Sequence, residues 1–458
     1  MSLSAEQGPI LETPFDKFLK VKRFRLEVER EGRVEPIEGY FLHGPGHNVA
    51  AVAALVFDAD RKPHVLLKTG DTRASRAERG EAYVQLGYIA GRLDKEGAGG
   101  EKIALAETAE EVGGEVVDGT FLSLSTFLSP TMPCESTEAD AYYLAAVALT
   151  GEPCGDGGGM ELLGLIGPYT AEAGQGLESM DRGDVSEGGR ARTLYCRAFD
   201  KIGFVPALGV YVQDHPELCA RFDSLGLGLP VDIRAHVHGA PIPPARCGSR
   251  TLEARVNTVE FVQRAELRLE GQTVVDATTR HAVVEEGRLT PVGPAFVNQF
   301  QKLDYDRAKA VVYWVDPERG PLVRMHPVER PVLAVKGLLS PSPARENTEL
   351  VRLDVADIAV PRQASMQTEL ERQLGLSCRA LGSPVSASSG QSDLYYHFFA
   401  AEVPAGESGD FLPLAEAIRL CRQGQADAHT EALLQRLAAD LDWLPTLGMG
   451  LAQARELL

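Results

Sequence analysis

"ALAETAEEVGGEV", residues 104–116, is the stretch on which the reading of this chain turns. Read as a helix, it places Glu107, Glu110 and Glu111 at spacings i, i+3 and i+4, on one face. Like charges at those spacings repel, at roughly 0.2–0.5 kcal/mol per pair. Something must offset that repulsion, and a cation is the obvious candidate.

Outward from this helix, the text of the chain repeats. "NVAAVAALVFDADRKPHVLL" (48–67) matches "DRAKAVVYWVDPERGPLVRM" (306–325), an apolar strand, a charged turn and a second apolar strand. "AETAEEVGG" (106–114) matches "TELERQLGL" (368–376), and "SPTMPCESTEADAYYLAAV" (129–147) matches "SPVSASSGQSDLYYHFFAAEV" (383–403). "DKIGFVPALG" (200–209) matches "ADLDWLPTLG" (439–448). Four matches in the same order imply a duplication. A Gly/Pro-rich stretch, "LGLGLPVDIRAHVHGAPIPPARCG" (225–248), reads as the connector between the copies. Each copy begins with an apolar-and-charged strand region, 15–31 and 251–271. Strands, a helix, more strands and a closing helical segment follow. That order predicts an α/β class fold with mixed β-sheets flanked by helices.

The bulk composition narrows the function classes. A chain of 458 residues, 44% hydrophobic and 24% charged, is globular and long enough for more than one core. Its net charge of −19 leaves no basic surface to replace counterions on phosphate backbone, so no nucleic acid partner is expected. Seven scattered cysteines without a C-x-x-C pair read as reduced thiols. "MSLSAEQGPILETPFD" has neither a basic n-region nor an apolar h-region, and no apolar run approaches ~18 residues. No membrane segment and a cytoplasmic location are the expectations.

The stretch from Gly91 to Gly113 resembles the signature of the Nudix hydrolase superfamily, G-x5-E-x7-R-E-U-x-E-E-x-G-U with U apolar. Glu107, Glu110, Glu111 and Gly113 fall on its second half, and Gly91 on its first glycine after a one-residue insertion. "IAGRLDKEG" (89–97) and "SPTMPCESTEADAYYLA" (129–145) resemble flanking segments of the ADP-ribose and nucleotide-sugar pyrophosphatase branch. The resemblance implies two tandem Nudix-like α/β/α sandwich domains, 12–228 and 229–458, packed as an intramolecular pseudo-dimer across a largely apolar interface. Strands around 251–271 would border the site of the first copy. The whole chain would be a monomer or a homodimer.

The activity so implied is hydrolysis of the pyrophosphate bond of a nucleoside diphosphate derivative, with Mg²⁺ (or Mn²⁺) screening the phosphate charge. Glu107 and Glu111 with the Ala90 carbonyl would be metal ligands, and Glu110 would share or orient them. Glu161 stands where the branch carries its base, and Glu138 where it carries a substrate-site or metal-proximal glutamate. Arg73 and Arg76 follow the second strand, where a substrate-binding arginine is often kept; solvated loop arginines are the plain alternative. His236 and His238, at alternate positions in the connector, read as unremarkable linker histidines.

The sequence departs from the signature in ways that keep a second reading open. Ala106 replaces the arginine that braces the carboxylates, Thr108 takes an apolar position, and only Glu96 lies near the place of the early glutamate. Loss of such a brace costs about 10–100-fold in affinity or activity. In the second copy Glu369, Arg372 and Gln373 replace the three glutamates, a set unsuited to Mg²⁺. A tandem module that binds a nucleotide or a protein without cleaving anything is therefore the alternative.

Overall fold

The computed structural model describes residues 5–10, 20–30, 32–43, 48–72, 79, 84–92, 100–124, 129–130, 139–151, 167–225, 228–240, 242, 258–269, 272–285, 288–291, 296–331, 351–387, 392–407 and 409–458. The fold is mixed α/β, with eight helices among these residues.

The first main sheet is built on β1 (Asn48–Phe57), whose side chains from Ala50 to Phe57 are all buried. A strand covered on both faces reads as a continuous apolar run, and this one does. It pairs antiparallel with β2 (Pro63–Thr72) through a turn that Asp58 closes, accepting from the amides of Asp60 and Lys62 at 2.9 and 2.8 Å. β2 continues into β3 (Val84–Gly87), and the short β4 (Ile89–Arg92) folds back onto β1. Helix α1 (Gly100–Val112) follows, then β5 (Ala139–Leu149), parallel to β1, and β6 (Pro168–Glu172) beside β2. Alternation divides the labour of β1. Val52, Ala54 and Val56 join Ala104 and Val112 of α1 in one core, whereas Ala51, Ala53, Leu55 and Phe57 face the opposite layer. That layer is α2 (Ala173–Arg182) and α3 (Gly188–Ile202).

The second main sheet repeats this order. The strand β7 (Tyr305–Asp316) pairs with β8 (Gly320–Arg324), and Asp316 caps their turn as Asp58 does, accepting from Glu318 and Arg319 amides at 2.8 Å. The remaining elements are β9 (Ala356–Pro361), α4 (Met366–Leu374), β10 (Tyr395–Glu402), β11 (Phe411–Pro413), α5 (Leu414–Arg422) and α6 (Ala428–Asp440). Strand order is β5-β1-β2-β6 in the first sheet and β10-β7-β8-β11 in the second, with β4 and β9 at matching places. Strand regions 20–30 and 258–269, expected from the sequence, form with their neighbours two further antiparallel sheets.

The halves meet along α3 and α6, and the meeting corrects the expected apolar interface. Arg197 pairs with fully buried Glu431 at 2.6 Å, and Arg422 joins Asp200. Asp181 takes Arg192 at 2.5 Å and Arg436 at 2.8 Å. The arginine stems supply packing while their planar forks satisfy the carboxylates, so charge is tolerated where local sequence suggests a solvated face. Apolar contact joins it in the segments that follow α3 and α6. There Val205, Val212, Leu218 and Phe222 pack on Leu444, Leu447, Met449 and Ala454. The connector also differs from a free linker: Ile233 and Val237 are buried in the first half's core, and the Ala240 amide reaches the Phe57 carbonyl at 3.3 Å.

Candidate functional site

The glutamate helix lies on the first sheet with Ala104, Thr108, Glu111 and Val112 buried, and Gly113 ends it at φ +65°. Thr108 fits the apolar position because its hydroxyl donates to the Ala104 carbonyl at 2.7 Å. The three glutamates do not share one environment. Glu111 is buried, Glu107 half-buried and Glu110 exposed. Residues 110 and 111 are about 100° apart around the helix, so seating one carboxylate on the sheet turns the other to water.

Glu107 is seated by a glycine. Gly91 lies on β4, and a Cβ built there would overlap the Glu107 side chain. The neighbouring Ala90 pairs with Ala51 of β1, which holds this backbone under the helix. Opposite stands a residue that the sequence reading passed over. Lys68 projects from β2, on the same face as Leu66, and its ammonium bonds to Glu111 Oε1. Both groups are below a tenth exposed. The available signal was a lone charge ending the buried run "HVLLK", at a position in phase with Leu66. Ala106, at the place of the missing arginine, is exposed.

The set Ala90, Glu107 and Glu111 consists of oxygen donors, the chemistry a hard divalent cation requires. Among the described residues no group of three His, Cys, Asp or Glu side chains is gathered closely enough to hold a metal. His236 is exposed, its ring lying over Gly119 in the 117–120 turn. Arg73, Arg76, Glu138 and Glu161 lie outside the described residues.

The matching place in the second half is differently made. Ile358 of β9 pairs with Ala308 as Gly91 pairs with Ala50. Glu369 accepts from Arg372 Nε and Gln373 Nε2, each at 3.0 Å, and these bonds hold its carboxyl down at about 2. Among the described residues no helix is long and apolar enough to cross a membrane. No protein-family model matches the chain, and no curated protein matches it.

Proposed function

We propose that the first half hydrolyses the pyrophosphate bond of a nucleoside diphosphate linked to another moiety, of the ADP-ribose or nucleotide-sugar type. The observation that carries this reading is the close approach of Glu107 to Gly91, beside buried Glu111 and the Ala90 carbonyl. Glu107, Glu111 and the Ala90 carbonyl would hold Mg²⁺ or Mn²⁺, with exposed Glu110 in reach of solvent to orient or share it. Such an ion supplies charge screening on the pyrophosphate and an acidified water. The same reading takes the chain as two tandem Nudix-like domains, the second degenerate, packed as a pseudo-dimer; the repeated strand order supports it.

Turnover of ADP-ribose, nucleotide sugars, NADH and dinucleoside polyphosphates with Mg²⁺ or Mn²⁺ tests the proposal. Activity should vanish in Glu107→Gln and Glu111→Gln and be untouched in Glu369→Gln. Activity that survives Glu111→Gln would sink it. The reading also predicts stabilisation by the cation alone, about 1.4 kcal/mol at ten times its Kd, lost in the Glu107/Glu111 double variant.

A second reading, a binding module without chemistry, is favoured by one observation: the Lys68 ammonium already engages Glu111 Oε1. No turnover of any pyrophosphate, together with no cation-linked stabilisation of the wild type, would select it.

A further inference from the structure

Between β2 and β3, Arg79 reaches across to the other half. Arg79 places its guanidinium on Asp306 of β7 as a two-pronged pair, Nη1 to Oδ1 and Nη2 to Oδ2 each at 2.9 Å. Nη1 also donates to the Asp393 carbonyl at 2.9 Å, and the guanidinium lies over the Tyr395 ring, 4.2 Å from its centroid. The receptor is built from the second half's own residues. The Tyr395 amide donates to Asp306 Oδ1 at 3.1 Å, and Arg362 holds the Asp393 carboxylate at 2.9 Å. Asp306 and Asp393 are buried, so this is a desolvated, hydrogen-bonding seat for a planar cation. Burial pushes the Asp306 carboxyl up, yet the His397 ring beside it, the Arg79 fork and the nearby Arg362 charge outweigh it and hold the group well below the usual range.

Along the chain, Arg79 lies between the two strands that lead to the candidate site. In the β2–β3 pairing Lys68 stands opposite Gly87, and Thr72 opposite Val84. Lys68 holds Glu111, and β3 leads through Tyr88 directly into Ala90 and Gly91. We propose that Arg79 is a positioning residue: by docking into the Asp306–Asp393–Tyr395 seat it lets the second half hold the strands that carry Lys68, Ala90 and Gly91 against Glu107 and Glu111. The second half then has a task that needs none of its own glutamates. The cation-binding consequence rests on the proposed function; the clamp itself does not.

The test uses the full chain with Arg79→Met and Arg79→Lys, read by hydrogen exchange and by titration with Mn²⁺ alone. Asp306 keeps Arg362 in both variants and the α3–α6 seam is untouched, so amides of those helices should exchange as in the wild type. In Arg79→Met the amides of 84–92 should exchange faster, and the Kd for Mn²⁺ should rise roughly 10–100-fold, the range for groups that orient a ligand. Arg79→Lys keeps the charge but not the fork and should recover part of both effects. Unchanged exchange over 84–92 overturns the clamp. Faster exchange with an unchanged Kd overturns its role at the site. A wild-type chain that takes up no Mn²⁺ overturns the proposed function and that role together, while exchange still decides the clamp.

Discussion

Helices α1 and α4 occupy the same place on two sheets of the same strand order, yet they treat their carboxylates in opposite ways. In α1, Glu111 is sunk against Lys68 and Glu107 against Gly91. In α4, Glu369 is partly buried and is bonded within its own helix by Arg372 and Gln373. Both helices end at a glycine in the left-handed region, Gly113 at φ +65° and Gly375 at φ +68°, and both bury one residue at the matching position, Thr108 and Leu370. The scaffold is therefore shared and the charge chemistry is not. A helix can keep its place on the sheet and its glycine end while two positions, Glu110 against Arg372 and Glu111 against Gln373, change what it can bind.

The largest effect expected from this contrast is on Lys68. Replacing it by Met leaves Glu111 buried without its counter-ion, a loss of about 3–5 kcal/mol in buffer without divalent cations. If Glu111 is a cation ligand, millimolar Mn²⁺ should return part of that stability in urea unfolding. A Lys68→Met chain as stable as wild type would mean that the ion pair contributes nothing. Arg372→Met in α4, by contrast, should leave stability nearly unchanged, because Arg372 is exposed.

A second way to sharpen the contrast is Gly91→Ala. The added methyl must displace the Glu107 side chain, and Mn²⁺ affinity should fall by about 10–100-fold with the fold retained. Ile358→Ala, at the matching place in the second half, should leave Mn²⁺ affinity alone. Equal effects of the two changes, measured by titration, would place the cation elsewhere.

The smallest effect concerns the layer behind the sheets. Asp140, opposite Val49, carries a buried ion pair with Arg190 of α3, with Nε to Oδ2 at 2.9 Å. At the matching position Tyr396, opposite Arg307, stacks instead on His429 of α6, with centroids 4.5 Å apart. Burial holds the His429 imidazole down from its ordinary 6.5 to about 4, against the pull of Asp427 and with the push of Lys309 and Arg190. The unfolded chain then binds a proton that the folded chain refuses. Stability should fall as pH drops from about 6.5 towards 4, by at most about 1.4 kcal/mol per pH unit from this group. His429→Gln should flatten that slope in denaturant unfolding at pH 6.5 and 5; an unchanged slope would exonerate His429.

Much of this architecture is legible in the residues because its causes are local. Turn aspartates at 58 and 316, apolar runs between them and the paired "PALG" and "PTLG" closings announce the repeat through short-range chemistry. The helix over 104–112 follows from its own periodicity, and the glycine after it from the φ that a helix end demands. Which glutamate turns inward onto Lys68 depends on a strand some forty residues away, although the lone charge in "HVLLK" marked the lysine. The Tyr-Tyr pairs at 142–143 and 395–396 show the limit most clearly. Matched by sequence they look equivalent, yet Tyr142 pairs with Ala51 where Phe398 pairs with Lys309. Tyr142 thus stands at the place of Phe398, not of Tyr395, and an odd displacement along a strand turns every side chain to the other face. Register, buried charge partners and the Arg79 clamp are set by contacts between segments distant in sequence. Only the folded chain brings those segments within hydrogen-bonding range, so only the tertiary structure decides them.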